Sequence, residues 1–279
     1  MKLNFIINDY ALIWSLLFQA SISESIYKLK QKLWQIYKEE YNNTYRDKAL
    51  ILKDPKNFIP NDDTIYNTVL ETKDYERIKK NAEKYRLEIM KIWDSNKKET
   101  QNLMKRIIKK EINNYQILIV NKELNVIDAT SHIDNPVKTI IFGKEIDKKE
   151  PSKIVLELLM TIINREIKTY SKDEEEIKKS ILELAVLNEY ATNITGRSCY
   201  LSGTPELSEI KRQLYPYWLM FLGVPKNDFL NYMMRDNIAF DLDKYAYEKE
   251  LKKMDIEEFI DFTIRNRRYM IKTEKIEVI

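Results

Sequence analysis

Only four of the 279 residues are glycine. Nucleotide-binding loops and tight turns between strands need glycine, because it alone enters the left-handed region at no steric cost. A chain with so few is a poor candidate for a Rossmann fold, a P-loop protein or a β-sandwich. Lys, Glu, Leu and Ile dominate instead, and these favour helices. Charged residues make up 33% and hydrophobic residues 44%, as in a folded globular chain rather than a disordered one.

The 47 basic and 44 acidic residues leave a net charge of +3, which gives no electrostatic footprint for nucleic acid. Cys199 is the one cysteine and His132 the one histidine. A zinc site built from His and Cys of this chain is thereby excluded, and a reducing, cytoplasmic setting is expected. "ALIWSLLFQA" (11–20) is apolar, but it follows Asn8 and Asp9 and is too short to span a bilayer. No membrane association is expected.

The hydrophobic pattern predicts a mainly helical α+β chain. Residues 3–7 suggest a short strand, and helices are expected over 9–20, 22–42, 63–72, 74–94 and 96–112, with a Pro-rich loop at 53–63. The pattern then turns β-like. "YQILIV" (115–120) is a strand, "LNVID" (124–128) is expected to pair with it, and "KTIIFG" (138–143) is a third. Helices return over 151–170, 173–195, 205–222, 226–236, 240–253 and 255–267, with Gly196 placed as a C-terminal cap. The division expected is an N-terminal helical part (1–112) and a small sheet with a C-terminal helical part (113–279), together forming one body.

Two helices carry acids in apolar surroundings. In "KIVLELLMTII" (153–163), Glu157 shares a stripe with Lys153, Thr161, Asn164 and Lys168. That stripe faces either water or a groove; the pattern is compatible with both. In "SILELAVLNEYATNITG" (180–196), Glu189 follows Leu182, Ala185 and Val186, and Asn188 stands beside it. Two buried carboxylates brought together would raise one another's pKa unless a cation stood near, and Arg165 and Arg197 are candidates.

This order of elements resembles the gluzincin-type zinc metallopeptidases, clostridial type. Their HExxH helix binds zinc through two histidines four apart, with the intervening Glu activating the metal-bound water; a Glu on a later helix is the third ligand. Here "LELLM" (156–160) stands in the place of HExxH, with Leu156 and Met160 where the histidines belong and Glu157 at the position of the general base. "ELAVLNEYAT" (183–192) resembles the third-ligand helix, with Glu189 at 29 positions after Met160. The similarity runs over about residues 85–225 and includes "LYPYWLMFLG".

The resemblance implies a scaffold without its metal, since leucine cannot bind zinc and a thioether is too soft for hydrolytic zinc. It implies no metal, no cofactor and no zinc-peptidase activity. A peptide or protein partner would occupy a cleft lined by Leu156, Met160, Asn188, Glu189, Arg197 and Tyr200, adding as a strand beside the helix. Two alternatives stay open: a metal-independent enzyme using Glu157 and Glu189 as acid and base on a peptide, or a purely structural helical interaction protein. Neither partner nor oligomeric state is specified by the sequence.

Overall fold

The computed structural model describes residues 1–19, 24–129, 138–167, 171–197, 201–235, 238 and 242–271. The chain is a mainly helical α+β protein, with one four-stranded sheet among the described residues. It divides into two compact units: Met1–Ser95 with Ile112–Thr161, and Asn96–Glu111 with Ile162–Ile279.

The first unit holds the sheet. Strands β1 (Leu3–Ile6), β2 (Tyr115–Ile119), β3 (Val126–Ala129) and β4 (Lys138–Gly143) lie in the order β1-β2-β4-β3. β2 runs parallel to both β1 and β4, whereas β3 is antiparallel to β4. The sequence reading paired β3 with β2, and this is corrected. Ile117, Leu118, Ile119 and Val120 are all fully buried. A run apolar on both faces marks an interior strand, so β2 takes a parallel neighbour on each side and β3 is displaced to the far edge. The sheet, expected with the C-terminal part, thus recruits its first strand from the N-terminus.

Alternation sorts the faces. Leu118, Val120, Ile141 and Val126 join a core with Leu12, Leu16, Ile51 and Tyr66. These last come from helices α1 (Asp9–Phe18), α4 (Lys48–Lys53) and α5 (Thr64–Leu70), which follow α2 (Glu24–Ile36) and α3 (Lys38–Arg46). The opposite face bears Phe5, whose ring lies 6.3 Å from Trp93 on α6 (Lys73–Leu103). The expected helix 22–42 is broken at Tyr37, where φ is −126° and ψ is 53°.

The expected helices 74–94 and 96–112 prove to be one. α6 continues through Ser95 and Asn96 and ends in a π-helical turn, Met104–Ile108. The polar residues do not break it because they hydrogen-bond within it: Ser95 Oγ donates to Lys91 O at 2.9 Å and Thr100 Oγ1 to Asn96 O at 3.0 Å.

α7 (Lys153–Glu166) follows the sheet. α8 (Lys172–Glu183) opens with a capping box, in which Ser171 and Glu174 each bond the other's backbone N–H. The helix then widens into a π-helical segment, Leu184–Tyr190, before α9 (Ala191–Thr195), which Gly196 ends at φ 66° as its position suggested. α10 (Ser208–Phe221), α11 (Lys226–Arg235), α12 (Glu248–Leu251), α13 (Ile256–Arg265) and α14 (Arg267–Met270) complete the second unit. Its centre is aromatic: the Trp218 and Phe259 rings lie 5.2 and 4.7 Å from that of Phe221. No helix among the described residues is long and apolar enough to cross a membrane. The terminal segment 272–279 lies outside the described residues.

Candidate functional site

Glu157 belongs to the first unit, Glu189 to the second, and each has its own partner. Glu157 lies in the second turn of α7 with its side chain half exposed, and its Oε2 is 3.3 Å from Lys144 Nζ. Leu156, one residue earlier, is only 7% exposed and forms part of the core. Met160, one turn on, is partly buried. Leu156 and Met160 therefore share the inward side of the helix, while Glu157 is turned away from the core.

Lys144 is fixed by its backbone. The Tyr85 hydroxyl donates to Lys144 O at 2.6 Å and accepts from Lys144 N at 3.0 Å, tying the end of β4 to α6. Burial pushes the Tyr85 hydroxyl far above its ordinary range, and the charges of Glu157 and Glu88 add to this. The result is a rigid tyrosine holding a lysine in reach of a carboxylate.

In the second unit the π-helical segment sets out Asn188, Glu189 and Tyr190 in succession. Glu189 Oε1 accepts from Trp218 Nε1 at 3.3 Å. Burial pushes its carboxyl up, while the Trp218 bond and the charge of Arg106 pull the other way. Arg106 stands on the other π-helical turn, and such turns are frequent at functional sites. Tyr190 bonds Thr100 Oγ1 at 2.8 Å; because Thr100 spends its proton on Asn96 O, Tyr190 is the donor. Asn188 Oδ1 accepts from Ser202 N at 3.0 Å, while its buried Nδ2 has no hydrogen-bond partner among the described residues.

The cations that stand with the two acids are Lys144 and Arg106, not the expected Arg165 and Arg197. Proximity in sequence suggested the latter pair, but the chain folds Lys144 and Arg106 in from elements further away. Arg197 is exposed, and its N–H donates to Thr195 Oγ1 at 3.3 Å. Tyr200, Cys199 and His132 lie outside the described residues.

One pair of charged residues was only half legible. Glu183 and Lys211 are 2% and 0% exposed, with Lys211 Nζ 2.7 Å from Glu183 Oε2. Lys211 also donates to Ser202 O at 2.8 Å, and Thr204 N donates to both carboxylate oxygens at 3.1 and 3.0 Å. Lys211 shares a helix stripe with Leu207, Leu214, Tyr215 and Trp218, all buried. A lysine inside such a stripe is the signal that could have found it. The pair pins the loop 201–204 against α8, and Gly203 is required there: at φ 113°, a Cβ would stand 2.4 Å from Glu183 Oε2.

Among the described residues no group of three or more His, Cys, Asp or Glu side chains is placed to hold a metal ion. No family model, no curated protein and no solved structure matches this chain.

Proposed function

We propose that the chain is a metal-free, metallopeptidase-like protein that binds a peptide or protein partner without cleaving it. The observation that carries this reading is the pair Leu156 and Met160, which puts packed hydrocarbon and a thioether at the two positions flanking Glu157 where a zinc peptidase needs imidazoles. Glu157 keeps an accessible carboxylate beside a single ammonium. A lysine or the N-terminus of a partner can take the place of Lys144 there, and a strand edge of the same unit offers backbone groups for strand addition. The cleft-lining role expected of Asn188, Glu189, Arg197 and Tyr200 stays part of the proposal, with Asn188 and Glu189 carried by the π-helical segment of the second unit.

A second reading is favoured by one observation. Burial raises the Glu189 carboxyl, and a raised carboxyl is suited to general acid–base work. On this reading the chain is a metal-independent enzyme.

The two are separated by selecting peptides from a displayed library on the purified chain, then incubating the selected peptides with it, with and without added zinc. Binding that is weakened in Glu157→Gln, with the peptides intact by mass spectrometry, supports the binder. Cleavage without metal that is lost in Glu189→Gln moves the assignment to the enzyme. Zinc-dependent cleavage, or stoichiometric zinc in the purified chain, overturns both.

A further inference from the structure

In the first unit, the outermost line of α2 carries no charge. Tyr27, Gln31, Trp34 and Gln35 recur at i, i+4, i+7 and i+8, and all four are exposed. The other side of the helix packs inward through Ile26 and Leu33, both fully buried. A surface helix ordinarily turns its charged residues outward along such a line. Here the line holds two large aromatics, Tyr27 at 51% and Trp34 at 42% exposure. Gln31 Nε2 donates to the Tyr27 hydroxyl at 2.9 Å.

The charges stand at the margin of this line. Lys28 and Lys32 flank it, and Lys38, the first residue of α3, lies over the Trp34 ring at 5.4 Å. The one acid of α2, Glu24, is in its first turn and pairs with Lys28 at 2.6 Å. Glu39 and Glu40 come only beyond the break at Tyr37, in the first turn of α3. Trp34 is held in place: the Tyr41 ring meets it edge-on at 5.7 Å, and the Tyr41 hydroxyl donates to Leu17 O on α1 at 3.0 Å. An aromatic fixed to the body of the unit, in an uncharged stripe with a charged rim, has the composition of an interface centre.

We propose that this face of α2 docks a protein partner whose contact surface carries an apolar anchor ringed by Asp and Glu side chains. The charges select that occupant. A second copy of the chain would set Lys28 and Lys32 against their own counterparts, and like charges oppose docking. A nucleic acid would stack its bases on an open ring, but Lys38 takes one face of Trp34 and Tyr41 packs against it. A lipid surface would have to take in the carboxamides of Gln31 and Gln35 along with the rings, burying them without hydrogen-bond partners. An acidic rim on a protein meets the lysines and leaves polar groups for the two carboxamides. The face is separate from Glu157 and does not depend on the reading of that site.

The test is selection of random displayed peptides on the immobilised full chain, with counter-selection on Trp34→Ala. Peptides kept by the wild type and lost by the variant are expected to be net acidic and to carry an aromatic or large aliphatic residue. By fluorescence anisotropy, their synthetic versions bind Trp34→Ala about ten-fold or more weakly. Binding also weakens in the double variant Lys28→Glu with Lys32→Glu and as salt is raised, and is unchanged in Glu157→Gln. The altered side chains are exposed, so the circular dichroism spectrum and melting temperature stay as in the wild type. The proposal is overturned if no peptide discriminates Trp34→Ala, if those that do are neutral or basic, or if the double lysine variant binds them as the wild type does. It is also overturned by self-association in sedimentation that Trp34→Ala abolishes. Binding to phosphatidylcholine–phosphatidylserine vesicles, or to single-stranded oligothymidylate, that is lost in Trp34→Ala overturns it in favour of lipid or nucleic acid.

Discussion

Replacing Lys211 with methionine isolates a fully buried ion pair of the second unit. The substitution keeps most of the apolar stem and removes the ammonium. Glu183, 2% exposed, retains the Thr204 N–H but loses the charge 2.7 Å away. Ser202 O loses its 2.8 Å donor, and Leu201 O a weaker one at 3.4 Å. Breaking a buried pair in this way costs about 3–5 kcal/mol, mainly because an uncompensated charge is left behind. At about 2–4 °C per kcal/mol for a body of this size, the melting temperature of the second unit falls by roughly 6–20 °C. Trp218 fluorescence in urea and thermal melts reads that unit, while Trp14 and Trp93 read the first. The reasoning makes a sharper demand of the double variant, Glu183→Leu with Lys211→Met. It removes both charges and is expected to cost far less than Lys211→Met alone. A Lys211→Met variant within about 1 kcal/mol of wild type, or a double variant that costs as much as the two single ones added, would refute it.

Three further outcomes are expected. Glu189 has a raised carboxyl, so the native state carries no charging penalty below about pH 4, where the unfolded chain is also protonated, and acquires one as pH rises through the raised native value; Glu189→Gln therefore gains stability over wild type between pH 4 and pH 7, and a pH-independent difference in urea denaturation contradicts the burial argument. Glu157→Gln changes stability by less than about 1 kcal/mol, because its ion pair is half exposed; a normal melt with weakened peptide binding then assigns the loss to recognition. Tyr85→Phe leaves the Lys144 N–H and C=O without their partner and costs about 1–3 kcal/mol by denaturant unfolding of the first unit.

Much of this architecture was legible in the chain itself. Sparse glycine, helix-forming composition and period-3.6 patterning specified a mainly helical protein, and β-branched runs placed β2 and β4. Those signals are local: each residue reports the geometry of its own few neighbours. The unbroken α6 was missed because Ser95 and Asn96 look like breakers until their hydrogen bonds along the helix are seen. The π-helical segment Leu184–Tyr190 left no mark in the pattern, since a one-residue widening shifts the apolar stripe by less than the stripe is wide.

At the candidate site the same boundary holds. The sequence by itself determined that Glu157 and Glu189 are acids in apolar helices, and that Leu156 and Met160 are no zinc ligands. Only the tertiary structure decided which partners they meet: Lys144 for Glu157, Trp218 and Arg106 for Glu189. It likewise joined Lys211 to Glu183. The physical reason is that a side chain's environment is set by whatever the fold packs against it, often from far along the chain. Periodicity fixes the face on which a residue lies; burial and partner, and with them its chemistry, are fixed by the packing of elements that no local pattern encodes.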